Sequence, residues 1–268
     1  SRVMWEHPEV GACGGPSELG PGIEPPSWFE RHQGAFAVGR QGEWNSDRPA
    51  DRRPLWGAGL SIRRAAFLDL AAHGFRQLAI LRGSRPDKRE TLLGRLNPSR
   101  DGGGDTELCL ALVHAGWRTR YEPGLRLEHH LDPRRLTWST LRQLKRGMGW
   151  NSVTLDAYHA AADLDEDGRL RLGARWWAQL AHAAVRLPVV ALRAAVRRSR
   201  DQSHLLTLEL LFGRTLALLH HRGNYDAAVR ELAATPWFQR GARGCEEVLG
   251  AGPGPATAEI DSAPQEAP

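Results

Sequence analysis

The sequence predicts an α/β fold followed by a helical extension. Two short apolar segments with glycine turns, 8–15 and 55–62, are typical of strands. The segments that follow residues 62 and 104 have apolar residues at helical spacing. From about residue 174 onward, helical patterns replace the strand-like ones.

The composition is that of a soluble globular protein with anionic partners. Hydrophobic residues make up 41% of the 268 residues and charged residues 25%. A net charge of +5 favours partners such as nucleotide diphosphates or membrane phosphates. The basic residues are spread out except for a cluster at 193–200, and no aromatic–basic reader motif accompanies that cluster. We therefore expect no nucleic-acid partner.

The cysteines and the N-terminus bear on the compartment. Cys13, Cys109 and Cys245 lie far apart and lack metal-binding or CxxC spacing, so neither a disulfide framework nor a zinc site is indicated. A signal-peptide pattern is not visible, and we expect a reducing, cytoplasmic setting. The chain begins with Ser1 and runs almost directly into a strand pattern, so it reads as cut at its start.

The first hundred residues alternate strand, helix and loop patterns. PEVGACGG predicts a buried strand ending in a glycine turn, and residues 28–32 predict one helical turn. LWGAGLSI predicts a strand, and RRAAFLDLAAHGF predicts a helix that ends at Gly74. Loops are expected at 40–54 and 82–103, where no periodicity is visible.

The stretch 102–130 has the strongest local pattern. Asp105 is expected to cap a helix from Thr106 to Ala115 that ends at Gly116. Leu108, Leu112 and Ala115 recur at helical spacing and should form its buried face. The segments WRTRYE and LRLEH alternate around Pro123-Gly124, as two strands joined by a tight turn do.

The remaining chain is predicted to be helical. Residues 136–150 form one helix in this interpretation. Residues 174–200 are apolar but too polar to span a membrane comfortably. Two readings stay open for them: an interfacial amphipathic helix with Trp176 and Trp177 at headgroup depth, or a hairpin packed on LLTLELLFGRTLALLHH. The tail 246–268 has the composition of a disordered segment.

Asp105 is the first candidate for chemistry. A carboxylate at a helix N-terminus is most often a cap. Here glycines precede it, which lets a ligand approach the backbone and leaves the carboxylate exposed to accept a proton from a hydroxyl. Either role fits the residues alone.

Each of three further motifs has both a functional and a structural interpretation. His129 and His130 end a strand, so only one of them can face a cleft with Asp105, as a metal ligand or a packed side chain. WGAG (56–59) permits close approach of a ligand, or marks an ordinary turn. Arg146 and Gln143 share a helix face that could meet a pyrophosphate, although a surface helix shows the same pattern by chance.

The segment 163–170, DLDEDGRL, resembles the start of a calcium loop. Position 12 of such a loop needs a bidentate carboxylate and is Ala174 here. We therefore expect a solvated turn.

Taken in order, WGAGLSIRRAAF, GGGDTELCLALVHAGWRTRYEPGLRLEHH and RRLTWSTLRQLKRG resemble the C-terminal half of family 2 glycosyltransferases. Enzymes that build bacterial surface polysaccharides are the nearest likeness, over roughly residues 5–150, with a fainter echo at 205–235. The resemblance implies a partial GT-A (Rossmann-like) domain at 1–150, a helical and membrane-interfacial extension at 151–245 and the tail at 246–268.

By this resemblance, Asp105 is the catalytic base of an inverting sugar transfer. Arg146 would contact the diphosphate, and His129 would reach the metal, Mg²⁺ or Mn²⁺, or the diphosphate. The resemblance implies a nucleotide-sugar donor, a UDP-sugar, and an acceptor that is a glycan or lipid-linked sugar. The donor-sugar and acceptor pocket would be formed by Trp56, Gly57, Ala58, Gly59, Gly103, Gly104 and Glu107.

The sequence departs from the family pattern in two ways. Gly104 stands where many relatives carry Glu, which removes an acceptor-binding carboxylate and leaves the base. No DxD motif precedes Pro8, and the nucleotide-binding strands are missing. The resemblance thus implies a fragment that is inactive alone, at the cytoplasmic membrane face. The alternative is a non-catalytic module that binds an acceptor or associates with membranes.

Overall fold

The computed structural model describes residues 2–41, 54–75, 103–197 and 203–240. The predicted loops at 40–54 and 82–103 and the tail at 246–268 lie almost wholly outside these residues. The strands are β1 (Val10–Gly14), β2 (Ser17–Leu19), β3 (Ser61–Ile62), β4 (Arg118–Tyr121) and β5 (Leu127–His129). The helices are α1 (Arg2–Glu6), α2 (Phe29–His32), α3 (Arg64–Ala72), α4 (Gly104–His114), α5 (Trp138–Ala162), α6 (Trp176–Arg197), α7 (Ser203–His220), α8 (Tyr225–Ala233) and α9 (Pro236–Arg240).

The described residues form a mixed α/β fold, which agrees with the predicted class. Strand β1 is the centre of a three-stranded sheet in the order β3-β1-β4. It runs antiparallel to β3 and parallel to β4, and all five of its residues are buried. A strand that is paired on both edges and covered on both faces reads as an unbroken small or apolar run, which explains VGACG.

A second, two-stranded sheet continues alongside the first. Strand β2 pairs in parallel with β5, and Leu19 lies opposite His129. The chain therefore bends between the two sheets, and on both sides of the bend segment 10–19 runs beside segment 118–129. Gly15 lies at that bend, where an added Cβ would come within 2.2 Å of the Leu125 carbonyl oxygen. Glycine is required there because the two backbones touch.

The predicted hairpin of β4 and β5 is wrong, although its tight turn is present. Leu125 donates its backbone N–H to the Glu122 carbonyl at 3.0 Å, which closes the turn at Pro123-Gly124. The strands on either side pair with β1 and β2 instead of with each other. Their partners lie about a hundred residues earlier, and local alternation carries no information about such distant pairing.

Glycines end the two helices where the sequence predicts. Gly74 follows α3 with φ +87° and Gly116 follows α4 with φ +95°, and both are left-handed conformations that favour glycine. The predicted start of α4 needs correction. The helix begins at Gly104 with Gly103 as the N-cap, so Asp105 lies in the first turn and is not the cap.

Helix α5 is longer than predicted and passes through the expected domain boundary at residue 150. Thr137 caps it by accepting the backbone N–H of Thr140 at 3.2 Å, and no proline interrupts it before residue 162. One hydrophobic core contains residues from both sides of that boundary, among them Trp117, Tyr158 and Val229. The helical part therefore shares its core with the sheet.

Helices α6 and α7 pack against each other, which supports the hairpin reading of residues 174–200. Trp176 points inward, and its indole N–H donates to the Leu218 carbonyl at 2.5 Å. Trp176 is therefore not available at headgroup depth, whereas Trp177 is half exposed. Within the described ranges, no helix is long and apolar enough to cross a membrane.

Candidate functional site

The Asp105 carboxylate contacts the WGAG segment. The Gly57 backbone N–H donates to Asp105 Oδ2 at 2.6 Å, and the Thr106 backbone N–H donates to Oδ1 at 2.8 Å. Each oxygen thus accepts one amide hydrogen bond, which fixes the orientation of the carboxylate. The side chain is still partly exposed to solvent. A fixed and accessible carboxylate of this kind can accept a proton from a bound hydroxyl.

A second contact holds the same segment one helical turn further along α4. The sulfur of Cys109 accepts a hydrogen bond from the Leu55 backbone. Residues 105 and 109 are four apart and share a helix face, so residues 55–57 lie along that face. Burial, reinforced by the charge of Asp105, raises the pKa of the Cys109 thiol from 9.0 to about 12. The thiol is therefore protonated at neutral pH and does not act as a nucleophile.

The glycines beside Asp105 mark close approaches. An added Cβ at Gly57 would lie 3.0 Å from Asp105 Oδ2, and one at Gly103 would lie 3.1 Å from the Asn151 side chain. Gly103 also has φ +87°, which a side chain would strain. Asn151 on α5 is a neighbour of the glycine turn that the sequence reasoning missed. Nothing in the local pattern of α5 distinguishes it from other polar helix positions.

The remaining residues of the predicted pocket surround this contact. Trp56 is half-buried, and its backbone N–H donates to Gln41 Oε1 at 3.0 Å. Ala58 follows Gly57, and Gly104 precedes Asp105, so both border the same contact. Gly59 has φ +75° and packs beside Leu127 of β5. The structure thus brings the WGAG segment, the glycine turn and β5 together.

His129 lies on the side of β5 that faces this region. Leu127 and His129 are two apart along the strand and therefore share a face, and Leu127 contacts Gly59. The His129 Nδ1 atom is buried and has no hydrogen-bond partner among the described residues. His130 is exposed and lies against Gly20 on the opposite side. His129, and not His130, is therefore the histidine that shares a face of β5 with Leu127, and its functional role stays a prediction.

Glu107 is placed differently from the expectation. Its side chain is fully buried, with 0% exposure, and the Tyr158 hydroxyl donates to its Oε1 at 2.9 Å. Burial first, and then the charge of Glu107 and this hydrogen bond, raise the pKa of Tyr158 well above 10. Glu107 ties α4 to α5 and does not line the surface beside Asp105.

Arg146 lies at the interface of α5 and α7. Its Nε donates to Glu209 Oε2 at 2.8 Å, while the Arg142 Nε donates to Oε1 of the same carboxylate at 2.8 Å. The Arg146 guanidinium also lies over the Phe212 ring, 5.2 Å from its centroid. Glu209 is buried, and two arginines balance its charge. Through these contacts Arg146 holds α5 and α7 together.

The predicted divalent cation has no complete ligand set in the described residues. No three His, Cys, Asp or Glu side chains within residues 2–41, 54–75, 103–197 and 203–240 lie close enough to hold a metal ion. Both oxygens of Asp105 already accept amide hydrogen bonds. The described residues alone therefore do not fit Mg²⁺ or Mn²⁺, which prefer several oxygen ligands.

No family model, curated protein or solved structure matches this chain. The function has to be inferred from the contacts of the site itself.

A second concave feature lies away from Asp105, and the sequence reasoning did not find it. A cleft of about 670 Å³ opens between α5, α6 and α7. Asp156, His159 and Asp163 line it from α5 at spacings of three and four, the only signal the sequence offers. Arg214 at its wall donates to Gln179 Oε1 at 2.7 Å and also pairs with Asp156. The cleft contains charges of both signs, and the Asp156–Arg214 pair joins two of them.

The acidic segment 163–170 beside this cleft is a turn, as expected. Asp165 Oδ1 accepts the backbone N–H groups of Asp167 at 3.1 Å and Arg169 at 2.7 Å. Asp165 and Asp167 are exposed. These contacts form an Asx-type turn.

Proposed function

We propose that this chain carries the acceptor-side part of an inverting glycosyltransferase that uses a nucleotide-sugar donor. The observation that carries the proposal is the contact between Asp105 and Gly57. This contact holds a fixed, partly exposed carboxylate between two glycine-rich segments. The order of motifs resembles that of family 2 glycosyltransferases and supports the same assignment.

In the proposed reaction, Asp105 accepts the proton of an acceptor hydroxyl. The hydroxyl oxygen then forms a bond to the anomeric carbon of the donor sugar as the bond from that carbon to the diphosphate oxygen breaks. The nucleotide diphosphate leaves with the electron pair, and the anomeric configuration inverts. The two amide hydrogen bonds keep the carboxylate oriented, so little reorganisation is needed when the proton arrives.

Neighbouring residues have supporting roles in this proposal. Trp56 offers an aromatic surface beside Gly57, which suits the apolar face of a sugar ring. His129, with its unpartnered Nδ1, offers a polar atom toward the phosphate side of the donor. The acceptor is proposed to be a glycan or lipid-linked sugar at the cytoplasmic face of the membrane.

The test is Asp105→Asn, assayed with UDP-sugars and polyprenyl-linked acceptors. Turnover is compared for residues 1–268 and for the protein expressed from its complete reading frame. The expected loss is about 10²-fold or more. Asp167→Asn is the matched control, since Asp167 is an exposed acid that pairs with Arg169 on the surface. Exogenous formate should restore part of the turnover of Asp105→Ala, because a small carboxylate can replace a missing base.

Near-normal turnover of Asp105→Asn would contradict the catalytic assignment. It would leave the carboxylate with the structural role of holding Gly57 and Thr106.

A non-catalytic module is the second candidate. The observation that favours it is that Arg146, the expected diphosphate contact, is bound to Glu209. In this case the chain would bind the acceptor without transferring a sugar. Two measurements separate the module from the enzyme. In calorimetric titration with acceptor alone, the module binds acceptor in both the wild type and Asp105→Asn. In the turnover assay, neither protein transfers a sugar.

A further inference from the structure

Helix α6 has a second apolar face that points away from the protein. Its inner face packs on the core through buried residues such as Ala183, Val190 and Ala194. On the outer face, Trp177 is 49% exposed, Val185 70% and Leu192 66%. The outer face is defined here as the exposed apolar stripe formed by Trp177, Ala181, Ala184, Val185, Pro188, Val189, Leu192 and Ala195.

The spacing shows that the outer face is continuous. Its members recur at intervals of three and four residues, so they lie in one row along the 22-residue helix. At 1.5 Å per residue the helix is about 33 Å long. Exposed apolar residues scattered singly need no explanation, but a contiguous stripe of this length marks an interaction surface.

The charged side chains of α6 itself are all basic. Helix α6 contains no Asp or Glu. Arg186 and Arg193 are exposed and lie along one flank of the stripe, with His182 one turn before Arg186. Arg175 is exposed directly before the helix begins. The stripe therefore combines apolar side chains with positive charge along one flank, while an acid from another helix, Asp226 of α8, accepts the Trp176 backbone N–H at 2.9 Å at the N-terminus of α6.

We propose that the outer face of α6 docks on the surface of an anionic lipid bilayer. The helix would lie in the plane of the interface, with Val185 and Leu192 among the acyl chains and Trp177 at headgroup depth. Arg186 and Arg193 would then contact lipid phosphates along the flank. The helix is not long and apolar enough to span, so the contact is peripheral.

The basic flank of α6 argues against a second copy of this chain as the occupant. A two-fold contact would bring the same surface of each copy together. Arginines along the flank of one helix would then approach those of the other without any acid of α6 to balance them. A bilayer rich in anionic lipid instead balances the charge and buries the apolar row.

This proposal is independent of the sugar-transfer chemistry. It uses no residue of the Asp105 site, and its measurement contains no turnover. Failure of one proposal therefore leaves the other standing.

The experiment is flotation of the full chain with vesicles of phosphatidylglycerol and phosphatidylcholine. We expect binding to the anionic vesicles at low salt and weak binding to pure phosphatidylcholine. The double variant Arg186→Gln/Arg193→Gln should bind about thirtyfold more weakly, since each arginine near an anionic surface contributes about 1 kcal/mol, a fivefold factor. Val185→Ser/Leu192→Ser should lose about a hundredfold or more.

The matched control is Phe67→Ser/Leu68→Ser on α3. These two residues are also exposed and apolar, at 45% and 50%, but lie outside the outer face. Their double variant should float like the wild type. Circular dichroism and thermal melting of all three variants confirm that each is folded.

Three results would overturn the proposal. One is the absence of flotation with anionic vesicles at low salt. Another is unchanged binding of the folded Val185→Ser/Leu192→Ser variant. The third is a change from dimer to monomer in that variant by analytical ultracentrifugation without loss of flotation, which would assign the outer face to self-association.

Discussion

Gly57 donates its backbone N–H to the Asp105 carboxylate at 2.6 Å, across 48 residues of sequence. The bond joins the strand-like WGAG segment to the first turn of α4. It depends on the absence of a side chain at residue 57, because a Cβ there would lie 3.0 Å from Oδ2 and 3.3 Å from the Asp105 Cβ.

Gly57→Ala should displace the Asp105 carboxylate. The new methyl group forces a shift of a few tenths of an ångström, so we expect a loss of about 1 kcal/mol in the free energy of unfolding. Urea denaturation measures this loss. Gly173→Ala is the control, since an added Cβ there meets nothing within 4 Å, and it should change stability by less than about 0.5 kcal/mol. Equal stabilities of the two variants would mean that the Gly57 site relaxes freely.

Gly149→Ala should destabilise the crossing of α5 and α7 strongly. An added Cβ would lie 1.9 Å from the Leu210 carbonyl oxygen, and one at Gly213 would lie 2.0 Å from the Arg146 carbonyl oxygen. Alanine normally stabilises a helix by about 1 kcal/mol relative to glycine, but here the two helices must separate. We expect a net loss of about 3 kcal/mol by thermal or urea unfolding.

Met148→Ala is the neighbouring control for this crossing. Met148 is exposed on the same turn of α5, so its replacement should be nearly neutral. A Gly149→Ala protein as stable as Met148→Ala would contradict the close packing of α5 on α7.

Glu209→Ala should cost about 3 kcal/mol in the free energy of unfolding. It leaves the guanidinium groups of Arg142 and Arg146 at a helix interface without their shared carboxylate. Asp167→Ala removes an exposed carboxylate paired with Arg169 and should cost close to zero. Both variants are compared by urea denaturation at low and high salt. Similar small effects would show that the Glu209 cluster is as well solvated as a surface pair.

Stability should fall at alkaline pH through Tyr225. Burial raises the pKa of Tyr225 from 10.0 to about 12, so the folded state favours the neutral phenol. The contribution is complete below the unfolded pKa of about 10 and is lost as pH rises from 10 toward 12, to a total of about 2–3 kcal/mol. Urea denaturation between pH 9 and 11.5 measures the slope.

Tyr225→Phe is the variant that tests this assignment. It removes the hydroxyl that accepts the Gln179 Nε2–H, so its baseline stability is lower at every pH. The alkaline slope is the readout, and it should be shallower than in the wild type. Tyr158 titrates in the same direction and is present in both proteins. Parallel slopes would rule out a contribution from Tyr225.

Local sequence signals predict where the helices and strands lie better than they predict which strands pair with each other. Gly74 and Gly116 end α3 and α4 in a left-handed conformation. Because glycine favours this conformation, the residue type alone is enough to predict both helix ends. The pairing of β1 with β4 is invisible to such signals, since the two strands are separated by more than a hundred residues. Alternation around Pro123-Gly124 predicted a hairpin because nothing local distinguishes a turn within one sheet from a turn between two.

The same contrast between local features and long-range contacts holds for the residues of the candidate site. The resemblance implied that Asp105 and WGAG belong to one site. The structure brings the two segments into contact, while their role in a sugar pocket stays a prediction. The burial of Glu107 follows from a feature that was given too little weight. The residues after it, LCLALV, are almost continuously apolar, and a helix that is apolar all round is buried on all sides. The pairing of Arg146 with Glu209 depends on how α7 crosses α5, which single-helix periodicity does not specify.

The glycine crossing of α5 and α7 has a mechanical consequence for Asp105. Gly149 touches the backbone of α7, and two residues later Asn151 touches Gly103 at the mouth of α4. Less than one turn of helix therefore separates the two contacts, and an α-helix is stiff over that distance. A rigid-body displacement of α7 that preserves its contact with Gly149 carries Asn151 with it. Such a displacement would therefore also shift the glycine turn that precedes Asp105, so the position of α7 and the position of this turn are mechanically coupled.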